Sequence, residues 1–104
     1  MIARAWRAVA DVDKAPQYEA HFQHDVLPEL REIDGYKGAY LLKREENGAV
    51  IIAVLTLWES MNAVQAFAGD QPDMAVVSPA AQAVLRSFDT GVMNYEVAFT
   101  DQIE

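Results

Sequence analysis

The chain contains no cysteine. That excludes a disulfide scaffold and thiolate metal ligation, and it suits a reducing compartment. Positive charge is scarce as well: 8 Lys and Arg stand against 16 Asp and Glu, for a net charge of −8. So acidic a surface argues against nucleic acid and against anionic membrane as partners. No apolar run reaches the roughly 18 residues of a membrane span. Arg4 and Arg7 interrupt the apolar stretch at the start, which does not read as a signal peptide. These absences lead to the expectation of a cytoplasmic protein. Also missing are a glycine-rich phosphate loop, a nucleophile elbow and a metal-binding motif.

What is present is a core. The 104 residues are 52% hydrophobic, which fits one globular domain spanning 1–104. "IARAWRAVA" alternates with period two. One face holds Ile2, Arg4, Trp6 and Ala8; the other holds Ala3, Ala5, Arg7 and Val9. "DVDKAP" breaks the strand, with Asp13 expected as N-cap and Pro16 in the first helical turn. Tyr18, Phe22, Val26, Leu30 and Ile33 then recur at helical spacing to about residue 33. Pro28 falls inside that helix and is expected to bend it or weaken one turn.

Asn47-Gly48 is the preferred two-residue hairpin turn. A two-residue loop pairs Arg44 with Ile51, Leu42 with Ala53 and Tyr40 with Leu55. Val50 to Leu57 is almost continuously apolar, the pattern of a strand covered on both faces. Ser60 caps a short helix with Val64, Phe67 and Ala68 on one stripe, closed by Gly69. Ser78 and Pro79 open another helix, with Ala81, Val84, Leu85 and Phe88 on one face. "GVMNYEVAF" is the expected last strand, with Met93, Tyr95, Val97 and Phe99 on one side.

The order β-α-β-β-α-β is the ferredoxin-like arrangement, an α+β fold with an antiparallel sheet and its helices on one face. Helices can cover only one side of such a sheet. A second copy is the economical cover for the other, since symmetric homodimers are the commonest oligomers.

"LTLWES" before a short helix, "GYKGAYLL" before the hairpin, and a first strand ending in a polar breaker carry a likeness. In these stretches the chain resembles the antibiotic biosynthesis monooxygenase-like family, whose members are dimeric α+β barrels. The resemblance runs from Ile2 to about Val97. It implies two chemistries. One is cofactor-free oxidation of a phenolic anthrone to a quinone by molecular oxygen. The other is haem degradation, which in the family uses an asparagine on the first strand, a tryptophan on the second helix and a histidine after it. A gapless overlay puts Trp6, Phe67 and the Val76–Val77 region at those places. No histidine follows His24, so the resemblance disfavours haem degradation. The overlay also turns the Trp6 face toward the helices.

Several residues are candidates for a site. Trp6 is either a pocket wall or core filler. Arg4 is either a cation for a phenolate or carboxylate, or the partner of an internal acid. His21 and His24, followed by Asp25, could supply two metal ligands, but no further cluster completes a set. His21, beside Tyr18 and Phe22, is the better proton-transfer candidate. Tyr36, Tyr40 and Tyr95 are sheet aromatics, and core is their commoner use. Phe67 with the loop around Asp70 and Asp73 could form a mouth, while Asn94 and Glu96 point either to solvent or into a cavity.

The resulting expectation is a monooxygenase of a small aromatic or phenolic compound, with no cofactor and no metal. His21 and Arg4 are its catalytic candidates, and Trp6, Phe22, Phe67 and Tyr18 its ligand-binding ones. The alternative is a non-catalytic small-molecule-binding or stress-related dimeric barrel. An apolar cavity with at least two convergent polar groups would separate them.

Overall fold

The Asn47-Gly48 turn sets the register of the sheet. Both residues have positive φ, 53° and 78°, as a two-residue hairpin turn of this kind requires. It joins β2 (Tyr36–Glu46) to β3 (Ala49–Trp58). Arg44 pairs with Ile51, Leu42 with Ala53 and Tyr40 with Leu55, as the sequence leads one to expect. The computed structural model describes residues 1–101.

β1 (Ile2–Asp11) pairs antiparallel with β3 along its whole length. Its other edge takes two short strands, β4 (Ser87–Phe88) and β5 (Met93–Glu96). The sheet order is β2-β3-β1-β4, with β5 continuing beside β1. This is the ferredoxin-like sheet, its fourth strand split by Asp89–Val92.

Helix α1 (Ala15–His21) runs through a π-helical turn, Phe22–Val26, into α2 (Leu27–Arg31). Pro28 explains the turn. It has no N–H to return to the preceding turn, and its ring crowds the carbonyl four residues back. One wider turn before it, closed by Leu27 N–H to the Phe22 carbonyl, absorbs the defect without ending the helix. α3 (Met61–Ala68) is capped by Ser60, whose Oγ accepts from Ala63 N–H, and stops at Gly69, where φ is 76°. α4 (Pro79–Ala83) is capped by Ser78.

Three boundaries differ from expectation. Asp13 is not a cap: α1 begins after Lys14, with no side-chain capping bond. The last helix ends at Ala83 instead of running to Phe88, because Arg86 N–H and Asp89 N–H bond to the carbonyls of Val9 and Arg7. Pairing with β1 outcompetes the helical periodicity there. The final strand covers only Met93–Glu96, leaving Val97 and Phe99 outside it.

The helices cover one face of the sheet. Beneath them lie Ala8, Ala10, Ile52 and Val54 with Tyr18 and Phe22, and a second cluster of Leu30, Trp58, Ala63 and Val64. Trp58 is fully buried and donates to Thr56 Oγ1 at 2.8 Å. Gly35 allows the second cluster to close: a Cβ there would sit 2.6 Å from the Ala63 Cβ.

The other face is open and mostly apolar, with Arg7 and Arg44 as its exposed cations. Ala3, Ala5, Val9, Ile51, Ala53, Leu55 and Leu57 are only half-buried. Tyr40, Leu42, Met93 and Tyr95 are 59%, 54%, 61% and 52% exposed. Trp58, Leu41, Val54 and Thr56 face the helices, and Tyr40 and Tyr95 the uncovered side.

Candidate functional site

Between the helices and the sheet lies a cavity of about 200 Å³. β1 contributes Arg4 and Trp6, and β3 contributes Val54 and Thr56. The first helical segment supplies Tyr18, His21 and Phe22, and α3 supplies Phe67. All six candidates read from the sequence therefore line one space. Period two puts Arg4 and Trp6 on the helix side of β1, and helical spacing turns Tyr18, His21 and Phe22 toward them. His24 and Asp25 are exposed on the π turn. Among the described residues, no three His, Asp or Glu side chains gather to hold a metal.

The wall is aromatic. Trp6 stands 6.1 Å from Tyr18, centroid to centroid, and 6.4 Å from Phe88. Its Nε1 donates to the Asp89 carbonyl at 2.7 Å. Trp6 thus both packs on the core and borders the cavity. Phe67 stacks on Trp58 at 5.6 Å. Burial pushes the Tyr18 hydroxyl up from 10.0 to about 12, because a phenolate would lose its water there.

The segment 70–78 closes the top, and Arg4 holds it. Arg4 is 4% exposed. Its guanidinium donates to the Pro72 carbonyl and, at 2.7 Å, to that of Met74. It also lies 5.8 Å from the Phe67 ring centroid. Burial lowers its pKa, and the Asp73 carboxylate opposes that shift. Asn94 adds a bond to the Pro72 carbonyl at 3.0 Å and one to Asp73 Oδ1 at 3.1 Å. Ala75 N–H to the Thr90 carbonyl and Val92 N–H to that of Asp73 complete the anchoring. Asn94 is thereby placed against the loop; of this segment Ala75, Val76, Val77 and Ser78 line the cavity, and Asp70 and Asp73 do not.

The anchored segment carries residues that the sequence did not single out as a site: Ala75, Val76, Val77 and Ser78. Ser78 Oγ lies 3.2 Å from His21 Nε2, and His21 Nδ1 lies 2.9 Å from Asp25 Oδ2. An ionised carboxylate only accepts, so Nδ1–H faces Asp25, and in the neutral form of the ring Nε2 is an acceptor beside Ser78 Oγ at the cavity wall. The chain therefore has an imidazole in its cavity although no histidine follows the second helix. It arrives from the first helix.

No protein-family model and no curated protein matches the sequence. Solved structures do match. A candidate antibiotic biosynthesis monooxygenase from Bacillus cereus aligns with a TM-score of 0.68 and 14% identity, over 98% of this chain and 97% of that one. The haem-degrader MhuD from Mycobacterium tuberculosis, solved with two haems in its active site, aligns at 0.66 and 23%, over 98% and 100%. A further candidate monooxygenase from Deinococcus radiodurans aligns at 0.59 and 17%, over 100% and 99%.

Haem can be tested against this cavity. Pockets for drug-sized ligands run to about 300–1,000 Å³, and the present space of about 200 Å³ is smaller.

Tyr18 yields a test of the wall. Its raised pKa means that the fold prefers the neutral phenol. The associated stability is fully present below pH 10 and is lost as pH rises toward 12. The shift corresponds to roughly 2–3 kcal/mol. Denaturant unfolding at pH 9.5 and 11.5 is expected to show a larger loss in the wild type than in Tyr18→Phe. Equal losses would mean that the hydroxyl is hydrated. This site is framed by the fold that the antibiotic biosynthesis monooxygenase-like structures share, and the chain has that fold.

Proposed function

We propose that the protein is a cofactor-independent oxygenase of a small phenolic compound. The observation that carries this reading is an aromatic-walled cavity with an imidazole acceptor facing into it. His21 Nε2 takes the phenolic proton, and Asp25 keeps the ring in the tautomer that can do so. The electron-rich phenolate then gives an electron to molecular oxygen, the co-substrate. Net, a ring CH2 becomes C=O: one oxygen atom enters the product, and the other leaves as water with the two hydrogens. Trp6, Tyr18, Phe22 and Phe67 hold the ring and exclude water. Arg4, anchored to the loop, supplies positive charge at the wall as the oxyanion develops.

The non-catalytic alternative needs a cavity that is filled or lacks converging polar groups. Here His21 and Ser78 meet at an open space, which favours the enzyme. The likeness to candidate monooxygenases supports an oxygenase reading on this fold. The small cavity favours a compound of one to three rings over haem.

Oxygen uptake with an anthrone as substrate tests this. Wild type is expected to raise uptake well above the uncatalysed rate. His21→Ala is expected to lower kcat about 10²–10⁴-fold, the usual worth of a positioned base. Uptake equal in both proteins would defeat the reading. Loss of haemin absorbance on incubation with a reductant, forming a bilin-like product, would defeat it in favour of haem degradation.

A second copy of the chain covers the open sheet face in this reading. Ala3, Ala5 and Ala53 give a close-approach centre, and Tyr40, Leu42, Met93 and Tyr95 give an apolar rim. Burying such a face contributes roughly 25 cal/mol per Å². Sedimentation at micromolar concentration is expected to give about twice the chain mass. A folded monomer there would contradict the barrel.

A further inference from the structure

Ser78, His21 and Asp25 form a row of hydroxyl, imidazole and carboxylate, with Oγ to Nε2 at 3.2 Å and Nδ1 to Oδ2 at 2.9 Å. The phenol chemistry uses only the middle member as a base. From the whole row we propose that Ser78 is an activated nucleophile that accepts an acyl or phosphonyl group from a small aryl ester bound in the same cavity.

Hydrogen-bond accounting makes the row directional. Ser78 Oγ already accepts the Ala81 N–H at 3.2 Å. Its own hydrogen is then free to point at His21 Nε2, which is an acceptor because Nδ1–H faces Asp25. A hydroxyl hydrogen-bonded to an imidazole whose far nitrogen is oriented by a carboxylate is the arrangement that activates serine on unrelated folds. Ser78 and His21 lie 57 residues apart and meet across a segment anchored by Arg4, Asn94 and backbone bonds to Thr90 and Val92. The aromatic wall provides the seat for an aryl leaving group.

The step balances without a cofactor. The Ser78 Oγ–carbonyl carbon bond forms and the carbon–aryloxide bond breaks. The Oγ proton passes to His21 Nε2 and then to the departing aryloxide. Water releases the acyl group by the reverse transfer. Ser78 is the nucleophile and His21 the base. Asp25, whose side chain is 64% exposed, is a positioning residue, and its hold on the ring is weaker than that of a buried carboxylate.

The reading does not rest on the oxygenase proposal, since aryloxide release and oxygen uptake are separate measurements. The test uses a fluorophosphonate and p-nitrophenyl acetate. One phosphonyl group per chain is expected, mapped by mass spectrometry to Ser78, with a matching burst of p-nitrophenolate. Ser78→Asp keeps a helix-capping oxygen but cannot be acylated, so label and burst disappear while circular dichroism and Tm hold. His21→Gln is expected to slow labelling at least tenfold. Asp25→Asn slows it several-fold, and Asp25→Glu restores it. No label on the wild type, a label on another residue, or a burst that survives in folded Ser78→Asp would each overturn the proposal.

Discussion

A buried arginine on the first strand is the constraint on which the site depends. Desolvating a guanidinium is costly unless it is hydrogen-bonded and near opposite charge. Arg4 meets that demand with the carbonyls of Pro72 and Met74 and with the Asp73 carboxylate nearby. The demand works in both directions. The arginine needs the loop to be buried without penalty, and the loop needs the arginine to stay over the cavity. Through this coupling the first strand sets the position of Val76, Val77 and Ser78, and so brings the Ser78 hydroxyl to His21.

The sheet is asymmetric in its consequences. β3 is apolar on both faces, and the helices use only one of them. On the helix side its side chains meet aromatic residues that do not quite close the space, and that residual volume is the site. On the other side, alanines alternate with Val9, Ile51, Leu55 and Leu57 beneath a rim of larger residues. A chain this acidic is more readily covered there by apolar self-association than by an anionic partner. A ferredoxin-like sheet thus keeps its cavity under its helices and leaves its other face uncovered within the chain.

Much of this was legible in the sequence, for reasons that can be named. Asn47-Gly48 permits positive φ at both positions, so the hairpin register followed. Period two put Arg4 and Trp6 on one face of β1, helical spacing grouped Tyr18, His21 and Phe22 on α1, and the family overlay turned the Trp6 face toward the helices, where Phe67 of α3 also lies. Long-range competition was not legible. The run from Ser78 to Phe88 has helical periodicity, but Arg86 and Asp89 N–H bond to β1 carbonyls in place of helical ones. The final strand is likewise shorter than its alternation suggests. Ser78 read only as a helix cap, because its partner lies on another element. Arg4 read as a cation for a ligand or as the partner of an acid, because the loop carbonyls that engage it have no sequence signature.

The central claim is that the space between helices and sheet is a binding site for a small phenol, held open by its wall and closed by an anchored loop. A crystal structure of the protein grown with 1-naphthol tests it most directly. The account predicts the ring between Trp6 and Phe67, the hydroxyl within hydrogen-bond reach of His21 Nε2, and the Arg4 bonds to the 70–78 segment intact. An empty or collapsed cavity at saturating naphthol, with the Trp6 indole filling the space, would contradict it.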